Sequence, residues 1–257
     1  MKSFLKLTLS LCLVVPLMAR ADPLKSVMWE FVRDNVLGLT PDQVQFDDRV
    51  QVYAPESVED GMNVPVSVRV DMADVEEIVV LADHNPIQRA LNFYPGKAEP
   101  YIAFRLKVQE ATPIRAAVRT SDNKWYVGGV WLDAPGGGCT TASPSQISRQ
   151  WETDLNQLAA RVWNRNDGTN RLRMRIIHPM DTGLVSNIPA FYLEQLFLKD
   201  MEGEQLAHLE VFEPVSENPV FTFSVPGNAT GSSEYVLSGR DNNGNELNAQ
   251  VAISATN

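Results

Sequence analysis

The sequence predicts a mainly β protein in which two β-sandwich domains are joined by a glycine-cysteine loop and a helix. Three observations lead to this prediction. Apolar and polar residues alternate along several short segments, as they do in half-buried strands. Turn-forming residues separate these segments at regular intervals, which is typical of a sandwich. A stretch rich in glycine, residues 134–144, interrupts the pattern and divides the chain in two.

The composition is that of a folded globular protein. Of the 257 residues, 44% are hydrophobic and 21% are charged. The formal net charge of −10 argues against a binding site for nucleic acid or anionic lipid. Outside the N-terminus no run of eighteen apolar residues occurs, so no transmembrane helix is predicted.

Residues 1–21 have the pattern of a secretory signal peptide. Two lysines precede an apolar stretch over residues 7–18, and Ala19-Arg20-Ala21 supplies the small residues of a cleavage site. We expect cleavage after Ala21, a periplasmic location, and no association with the membrane after cleavage. Cleavage would also remove Cys12 and leave Cys139 as the single cysteine.

The first predicted domain covers residues 22–140. It begins with a helix over residues 22–37, where apolar side chains recur at helical spacing, and Gly38 ends this helix. The period then changes to two, because four valines alternate with Pro65, Ser67, Arg69 and Asp71. The predicted strands of this domain are residues 64–70, 78–81, 101–108, 114–120 and 125–131.

Residues 141–167 are predicted to be a linker, helical over residues 143–165. Ser143, Pro144 and Gln146 fit the cap and first turn of a helix. A stripe of apolar side chains should pack on the protein and hold the two domains as one rigid unit. The stripe consists of Ile147, Trp151, Leu155, Leu158 and Val162.

The second predicted domain covers residues 168–257 and is also β. Leu172, Met174 and Ile176 alternate with three arginines. Asn243-Gly244 is a strong hairpin turn between the last two strands. The further predicted strands are residues 191–198, 206–212, 220–225, 234–239 and 247–253.

Cys139 is the candidate site. Because the three glycines before it offer no packing, we expect its thiol to be exposed and poorly ordered. No lysine or arginine lies between Lys124 and Arg149, so no neighbour in sequence would lower the thiol pKa as a catalytic cysteine requires. The pattern favours a carrier arm on which other enzymes act. The predicted arm consists of Gly136, Gly137, Gly138, Thr140 and Thr141, with Cys139 as the covalent attachment site.

Other residue patterns predict no catalytic residue, no metal site and no cofactor. The three histidines, His84, His178 and His208, have no metal-ligand spacing and are expected to be structural. A buried inert cysteine and a cysteine paired between chains remain alternatives for Cys139.

Several motifs give the chain a resemblance to the SoxYZ carriers of bacterial sulfur oxidation. Residues 168–255 resemble SoxZ through His178-Pro179-Met180-Asp181-Thr182-Gly183-Leu184, Ile188-Pro189-Ala190-Phe191-Tyr192-Leu193-Glu194, Glu217-Asn218-Pro219 and Asp241-Asn242-Asn243-Gly244. Residues 27–140 are similar to SoxY through Asp60-Gly61, Val64-Pro65-Val66, Asn85-Pro86 and the glycine-cysteine segment. The order is that of a natural SoxY–SoxZ fusion, and it looks like the SoxYZ-like carriers associated with quinoprotein dehydrogenases.

The resemblance implies a fold and a function. It implies two immunoglobulin-like β-sandwich domains and a cysteine that carries sulfur intermediates, as in thiosulfate oxidation. It also implies partners: periplasmic sulfur-oxidising enzymes or a quinoprotein dehydrogenase system. The family's arm is a free C-terminal tail, whereas here Thr140 and Thr141 follow the cysteine and the arm is tethered at both ends. A loop of this kind reaches less far than a tail.

Three functional hypotheses follow from the sequence. The leading one is a non-enzymatic covalent carrier, and it predicts that Cys139→Ser abolishes function. The second is a binding or assembly module for a quinoprotein dehydrogenase, with Cys139 vestigial or an intermolecular staple. The third is a thiol enzyme, which is disfavoured because a dithiol oxidoreductase needs a second cysteine.

Overall fold

The computed structural model describes residues 21–149, 151–227 and 234–252. The predicted signal peptide, apart from Ala21, and Cys12 lie outside these residues. None of the helices in the described ranges is long and apolar enough to cross a membrane.

The N-terminal helix is shorter than the sequence predicts. One helical turn, α1 (Trp29–Phe31), continues as a π-helical segment (Val32–Leu37), and Gly38 ends it in the left-handed region with a φ of 70°. Its buried face packs on Val79 and Leu81. This contact covers part of one outer face of the sandwich.

Fifteen strands in the described residues form two sheets. The nine-stranded sheet has the order β1-β8-β7-β4-β5-β12-β11-β14-β15, and the six-stranded sheet has the order β2-β3-β6-β13-β10-β9. The strands of the first half are β1 (Val44–Phe46), β2 (Val50–Tyr53), β3 (Val64–Val70), β4 (Val75–Ala82), β5 (Arg89–Tyr94), β6 (Tyr101–Leu106), β7 (Thr112–Thr120) and β8 (Trp125–Leu132). Those of the second half are β9 (Leu158–Asn164), β10 (Thr169–Ile176), β11 (Leu193–Lys199), β12 (Gln205–Val211), β13 (Val220–Pro226), β14 (Glu234–Asp241) and β15 (Glu246–Ala252).

Both sheets run continuously through the two halves of the chain. β5 pairs antiparallel with β12, and β6 pairs antiparallel with β13. The apolar side chains between the sheets form one core that includes Phe93 from the first half and Phe223 from the second, stacked with ring centroids 5.9 Å apart. The two sandwiches are therefore joined by strand pairing and a common core.

The mainly β fold class and the sandwich are confirmed, and alternation explains the strands. In β3 the valines are buried while Pro65 and Arg69 are exposed. In β10 Leu172, Met174 and Ile176 are buried between exposed arginines. The hairpin between β14 and β15 turns at Gly244, which has a φ of 85°.

The predicted helix over residues 143–165 is wrong. The structure has two short helices, α2 (Pro144–Ser148) and α3 (Trp151–Asp154), followed by β9. Arg149 ends α2 with a φ of 49°, and Asn156 has a φ of 61°. The physical reason for the error is that a spacing of four residues, as between Leu158 and Val162, fits a strand as well as a helix.

Pairing with β10 decides in favour of the strand. The predicted apolar stripe does not form a single buried face. Ile147 is exposed, whereas Val162 is buried in the core and Trp151 packs edge-on against Phe191. The linker therefore does not join the halves as a helix.

Candidate functional site

The glycine-cysteine segment connects β8 to α2 and lies across the seam between the two halves. Gly137 N donates to Gln109 O at 2.9 Å, and Gly138 N donates to Val108 O at 3.1 Å. Val108 N in turn donates to Gly61 O at 2.7 Å. These bonds dock the segment on the first half.

Only glycine fits at position 138. A Cβ built there would lie 2.2 Å from Val108 O and 2.3 Å from Gly61 O. A Cβ at Gly136 would meet only Gln109 O, at an ordinary 3.5 Å. The glycine at position 138 therefore permits close docking of the backbone, in addition to giving the segment flexibility.

Cys139 is buried, which contradicts the expectation of an exposed thiol. Its side chain is 1% exposed, and Sγ donates to Lys107 O at 3.7 Å. Its carbonyl oxygen accepts a bond of 2.7 Å from Thr182 Oγ1, on the second half. The thiol is buried because the glycines allow the chain to enter a narrow seam, where residues distant in the sequence supply the packing. Gly136, Thr140 and Thr141 remain exposed.

A buried lysine lies next to the thiol. Lys107 is 2% exposed, and its Nζ donates to Met180 O, which again joins the first half to the second. Burial lowers the pKa of Lys107 to about 8, and the nearby Asp181 carboxylate opposes this shift. Lys107 lies 32 residues from Cys139 in the chain, so the search for a neighbouring cation in the sequence missed it.

The docked thiol is poorly reactive. Burial raises the pKa of Cys139 to about 11, and the charge of Lys107 offsets only part of this shift. At pH 7 the thiolate fraction is then about one part in ten thousand. Because the thiolate is the nucleophile, this position protects the sulfur.

Asn85 holds the first-half side of the seam. Its Nδ2 donates to Lys107 O at 2.8 Å, and its Oδ1 accepts from Gln109 N at 2.8 Å. Lys107 O thus accepts hydrogen bonds from both the Asn85 amide and the Cys139 thiol. Asn85 belongs to a motif that carries the SoxY resemblance, and this motif is the signal that could have identified it.

The second-half side of the seam is the turn that includes His178 and Thr182. His178 is fully buried, and its Nδ1 accepts from Met180 N at 3.1 Å, which places the ring hydrogen on Nε2, 3.6 Å from Asp241 Oδ2. Burial lowers the pKa of His178, so the ring is neutral at pH 7. His178 therefore shapes the turn that presents Met180 O and Thr182 Oγ1.

The other histidines lie elsewhere. His84 Nδ1 is 2.8 Å from Ala111 O, and His208 stacks between Tyr94 and Phe197. Among the described residues no group of three or more His, Cys, Asp and Glu side chains could hold a metal ion.

A cleft of about 310 Å³ opens beside the docked arm. Lys107 is one of its lining residues, and both halves of the chain contribute to the lining. The charged residues at its rim include Arg105, Arg175, Asp60 and Glu217.

Comparison with known proteins identifies the two halves. Residues 33–139 match the family of the sulfur oxidation protein SoxY, and residues 161–252 match the family of the sulphur oxidation protein SoxZ. Among curated proteins the search gave no match.

Several solved structures show a limited similarity to part of the chain. The sulfur carrier protein SoxY from Chlorobium limicola f thiosulfatophilum is 20% identical with a TM-score of 0.37, over 42% of this chain and 96% of that one. A variant of neelaredoxin, a superoxide reductase from Ignicoccus hospitalis, is 19% identical with a TM-score of 0.32, over 37% and 96%. A putative superoxide reductase from Thermotoga maritima is 16% identical with a TM-score of 0.32, over the same shares.

At these TM-scores the family assignment depends on the two sequence matches alone. Together these matches cover most of the chain, in the order SoxY then SoxZ. The motifs of the two families meet at the buried thiol: Asn85 and Gly61 come from the first, and Met180 and Thr182 from the second. The chain is a SoxYZ-like fusion and belongs to the SoxY and SoxZ families of sulfur oxidation proteins.

Proposed function

We propose that this protein is a periplasmic, non-enzymatic carrier that holds a sulfur-containing intermediate covalently on Cys139. The two families support a role as a carrier in sulfur oxidation. The observation that carries the proposal is the position of Cys139 on a glycine segment at the seam, held by contacts from both halves. Sulfur-oxidising enzymes are the partners that such a carrier serves.

The contacts that dock the arm are few and reversible. Three hydrogen bonds join the backbone of residues 137–139 to the rest of the protein. At about 0.5–1.5 kcal/mol each, with the burial of one small side chain added, opening costs roughly 3–5 kcal/mol. The open arm would then be populated at about one part in a hundred to one in several thousand.

Release changes the reactivity of the thiol. In the docked arm the pKa of Cys139 is about 11, whereas a solvated cysteine has a pKa of about 8.5. Leaving the seam therefore raises the thiolate fraction at neutral pH by two orders of magnitude. The arm becomes reactive when it is presented to a partner and is protected between encounters.

Loading with thiosulfate illustrates the chemistry that a partner must supply. A bond between Cys139 Sγ and the sulfane sulfur of thiosulfate gives a cysteine S-thiosulfonate. The thiol proton and two electrons leave, so the loading enzyme must pass the electrons to an acceptor. Among the described residues no second cysteine lies within reach to accept them.

The arm is tethered at both ends, at Leu132 and Pro144. Eleven residues that leave and return to one surface reach at most about 18 Å. The partner's active site must therefore open close to its docking surface.

The decisive experiment combines mass and function. Protein purified from the periplasm of the source organism should begin at Asp22 and carry sulfur adducts on Cys139 by intact and peptide mass spectrometry. Cys139→Ser should abolish complementation of a deletion strain, and its melting temperature should fall by only a few degrees, because a small buried side chain is exchanged for one of similar shape. Cys139→Ala serves as the control for the new hydroxyl.

One observation favours a second function, a binding or assembly module for a quinoprotein dehydrogenase. Cys139 is as buried as a core residue, and its raised pKa fits a thiol without chemical work. Full complementation by Cys139→Ser, with no adduct on the wild-type protein, would support this alternative and refute the carrier. A reducible dimer would identify Cys139 as an intermolecular staple.

A further inference from the structure

The six-stranded sheet carries positive charge only. Its strands β2, β3, β6, β13, β10 and β9 contain six arginines and no Asp, Glu or Lys. All six alternate with residues that face the core, so they project from the outer surface, and only Arg105 is half-buried. We call this surface the arginine face; its arginines are Arg69, Arg105, Arg161, Arg171, Arg173 and Arg175.

No ion pair among the described residues neutralises these arginines, and the carboxylates in the cleft that Arg105 and Arg175 line are those of Asp60 and Glu217. Within the described part of the chain, none of the six arginines forms an ion pair. The nine-stranded sheet differs, because Arg119 pairs with Glu76 and Glu77, and Arg240 pairs with Glu194. The protein has 32 acidic residues against 22 Lys and Arg, yet its acids avoid the six strands.

The arrangement works against the stability of the sheet. Arg173 on β10 lies directly opposite Arg161 on β9, and Arg171 and Arg175 follow on the same face. Like charges directly opposite across a strand pair are destabilising. A local rule that is broken across a strand pair points to a site kept for function.

Aromatic rings hold several of the arginines in place. The Arg161 guanidinium lies 5.2 Å from the Trp163 ring centroid, and that of Arg69 lies 5.2 Å from the Tyr101 ring. Arg171 also stacks on Tyr101 and donates to its hydroxyl at 3.3 Å. Stacking fixes the side chains before binding, so that less conformational entropy is lost when a partner docks.

Two shallow hollows lie between the arginines because β13 presents small side chains outward. One of about 400 Å³ lies between Arg105 and Arg173, and one of about 440 Å³ lies between Trp163 and Arg171. Thr222 lines both. Each hollow is flanked by guanidinium groups, which bind carboxylates in a bidentate geometry.

We propose that the arginine face docks a partner protein through a surface rich in Asp and Glu. Arg171 and Arg175 are four residues apart on one strand, about 13 Å, which is too far for one small oxyanion to bridge. A net charge of −10 opposes nucleic acid and anionic membranes, whereas it leaves a local positive face free to pair with a local acidic one. Arginine, tyrosine and tryptophan are also the residues enriched in protein interfaces.

The dimensions indicate a transient complex. Five strands span roughly 19 Å, and the arginines extend about 13 Å along them. The area enclosed by these two lengths is smaller than the about 800 Å² that each partner buries in a standard interface. Charge would then act mainly on the association rate, and salt would weaken it.

The arginine face leads to the buried thiol. Arg105 and Arg175 also line the cleft that Lys107 lines, and the carbonyl of Lys107 accepts the Cys139 thiol. On the proposed carrier function, which this step assumes, a partner on the arginine face would have its active site within reach of the short tethered arm. The docking itself does not depend on that function.

Binding of labelled poly-L-glutamate of about 50 residues, measured by fluorescence anisotropy at 20 and 150 mM salt, tests the proposal in vitro. The triple variant Arg161→Glu, Arg171→Glu, Arg173→Glu should bind at least tenfold more weakly than the wild type. The matched control, Lys97→Glu, Lys124→Glu, Arg240→Glu, has the same net charge with all changes outside the six strands, and it should stay within threefold. Equal losses in the two triple variants would overturn the proposal.

A photo-crosslinking residue in place of Trp163, in the full chain expressed in the source organism, tests it in the cell. The expected adduct is a protein peptide rich in Asp and Glu, and its yield should fall at least fivefold with Arg171→Glu and Arg173→Glu. Adducts to nucleic acid, lipid, a neutral or basic peptide or a second copy of this chain would overturn the proposal, as would no adduct. Cys139→Ser should keep poly-L-glutamate binding within twofold, so failure of the carrier function can be told from failure of docking.

Discussion

The polar groups of the seam around Cys139 are buried and hydrogen-bonded, whereas those of the arginine face are largely exposed and form no ion pairs among the described residues. At the seam, Lys107, Asn85 and Thr182 each make a hydrogen bond that helps to hold the thiol out of water. On the arginine face, Arg173 and its neighbours lie exposed without ion pairs. The difference indicates that this protein hides its reactive group and displays its recognition groups. A carrier benefits from both, because an unprotected thiol reacts with the wrong partner and a hidden docking surface finds none.

Gly138→Ala gives the largest expected effect on this comparison. Its Cβ would meet two backbone oxygens closer than 2.5 Å, so the arm cannot dock and the thiol becomes exposed. We expect alkylation of the native protein by iodoacetamide to become at least about 100-fold faster, close to the rate of the unfolded chain. Gly136→Ala is the matched control, because its Cβ meets only an ordinary contact, and its rate should stay within threefold. An unchanged alkylation rate in Gly138→Ala would show that docking of the arm in the seam does not protect the thiol.

The pH dependence of arm opening tests the same seam without changing its shape. The pKa of Cys139 is raised to about 11 in the docked arm, so the docked state binds the proton more tightly than the open one. The thiol therefore favours docking fully below about pH 9, and this contribution is lost as the pH rises towards 11. Across that window the opening equilibrium should increase by up to about 100-fold.

Hydrogen exchange of the Gly137 and Gly138 amides, corrected for the intrinsic pH dependence, measures this opening. Burial lowers the pKa of Lys107 to about 8, which contributes with the opposite sign between about pH 8 and 10.5. Cys139→Ala retains Lys107 and is therefore the reference. The same pH profile in both proteins would contradict the assigned shift.

Thr182→Val removes a hydroxyl that donates to Cys139 O and accepts from Leu184 N, and it should have a smaller effect than Gly138→Ala. The bond from Thr182 Oγ1 to Cys139 O is the direct link from the second half to the arm. Its loss is worth about 0.5–1.5 kcal/mol, which corresponds to alkylation about 2–12-fold faster. Thr182→Ser keeps the hydroxyl and should keep the rate of the wild type. Equal rates for the valine and serine variants would contradict the role of the hydroxyl.

Arg161→Glu gives the smallest effect and has the opposite sign on stability. It places a carboxylate opposite Arg173, so a repulsive pair becomes an attractive one. Because the lost contact between Arg161 and Trp163 offsets part of the gain, we expect the free energy of unfolding to rise by less than about 1 kcal/mol in a denaturant titration, while binding of poly-L-glutamate weakens. Arg240→Glu, which loses its pair with Glu194, should not gain stability. A loss of stability in Arg161→Glu would mean that the arginine is kept for the fold.

Local patterns determined most of the strands and the family. Strands such as β3 and β10 could be predicted because alternation of apolar and polar residues depends only on neighbours in the chain. The motifs around Asn85, Thr182 and Cys139 identified both families before any contact was known.

Tertiary structure alone decided the rest. Whether residues 158–164 form a helix or a strand depended on pairing with β10, since their spacing fits both. The burial of Cys139 depended on Lys107 and Thr182, which are distant in the sequence and reach the thiol only when β6 pairs with β13. The arginine face likewise could be recognised only from the strand order. The net charge adds all charged residues together, and only the fold shows that the arginines lie on one surface.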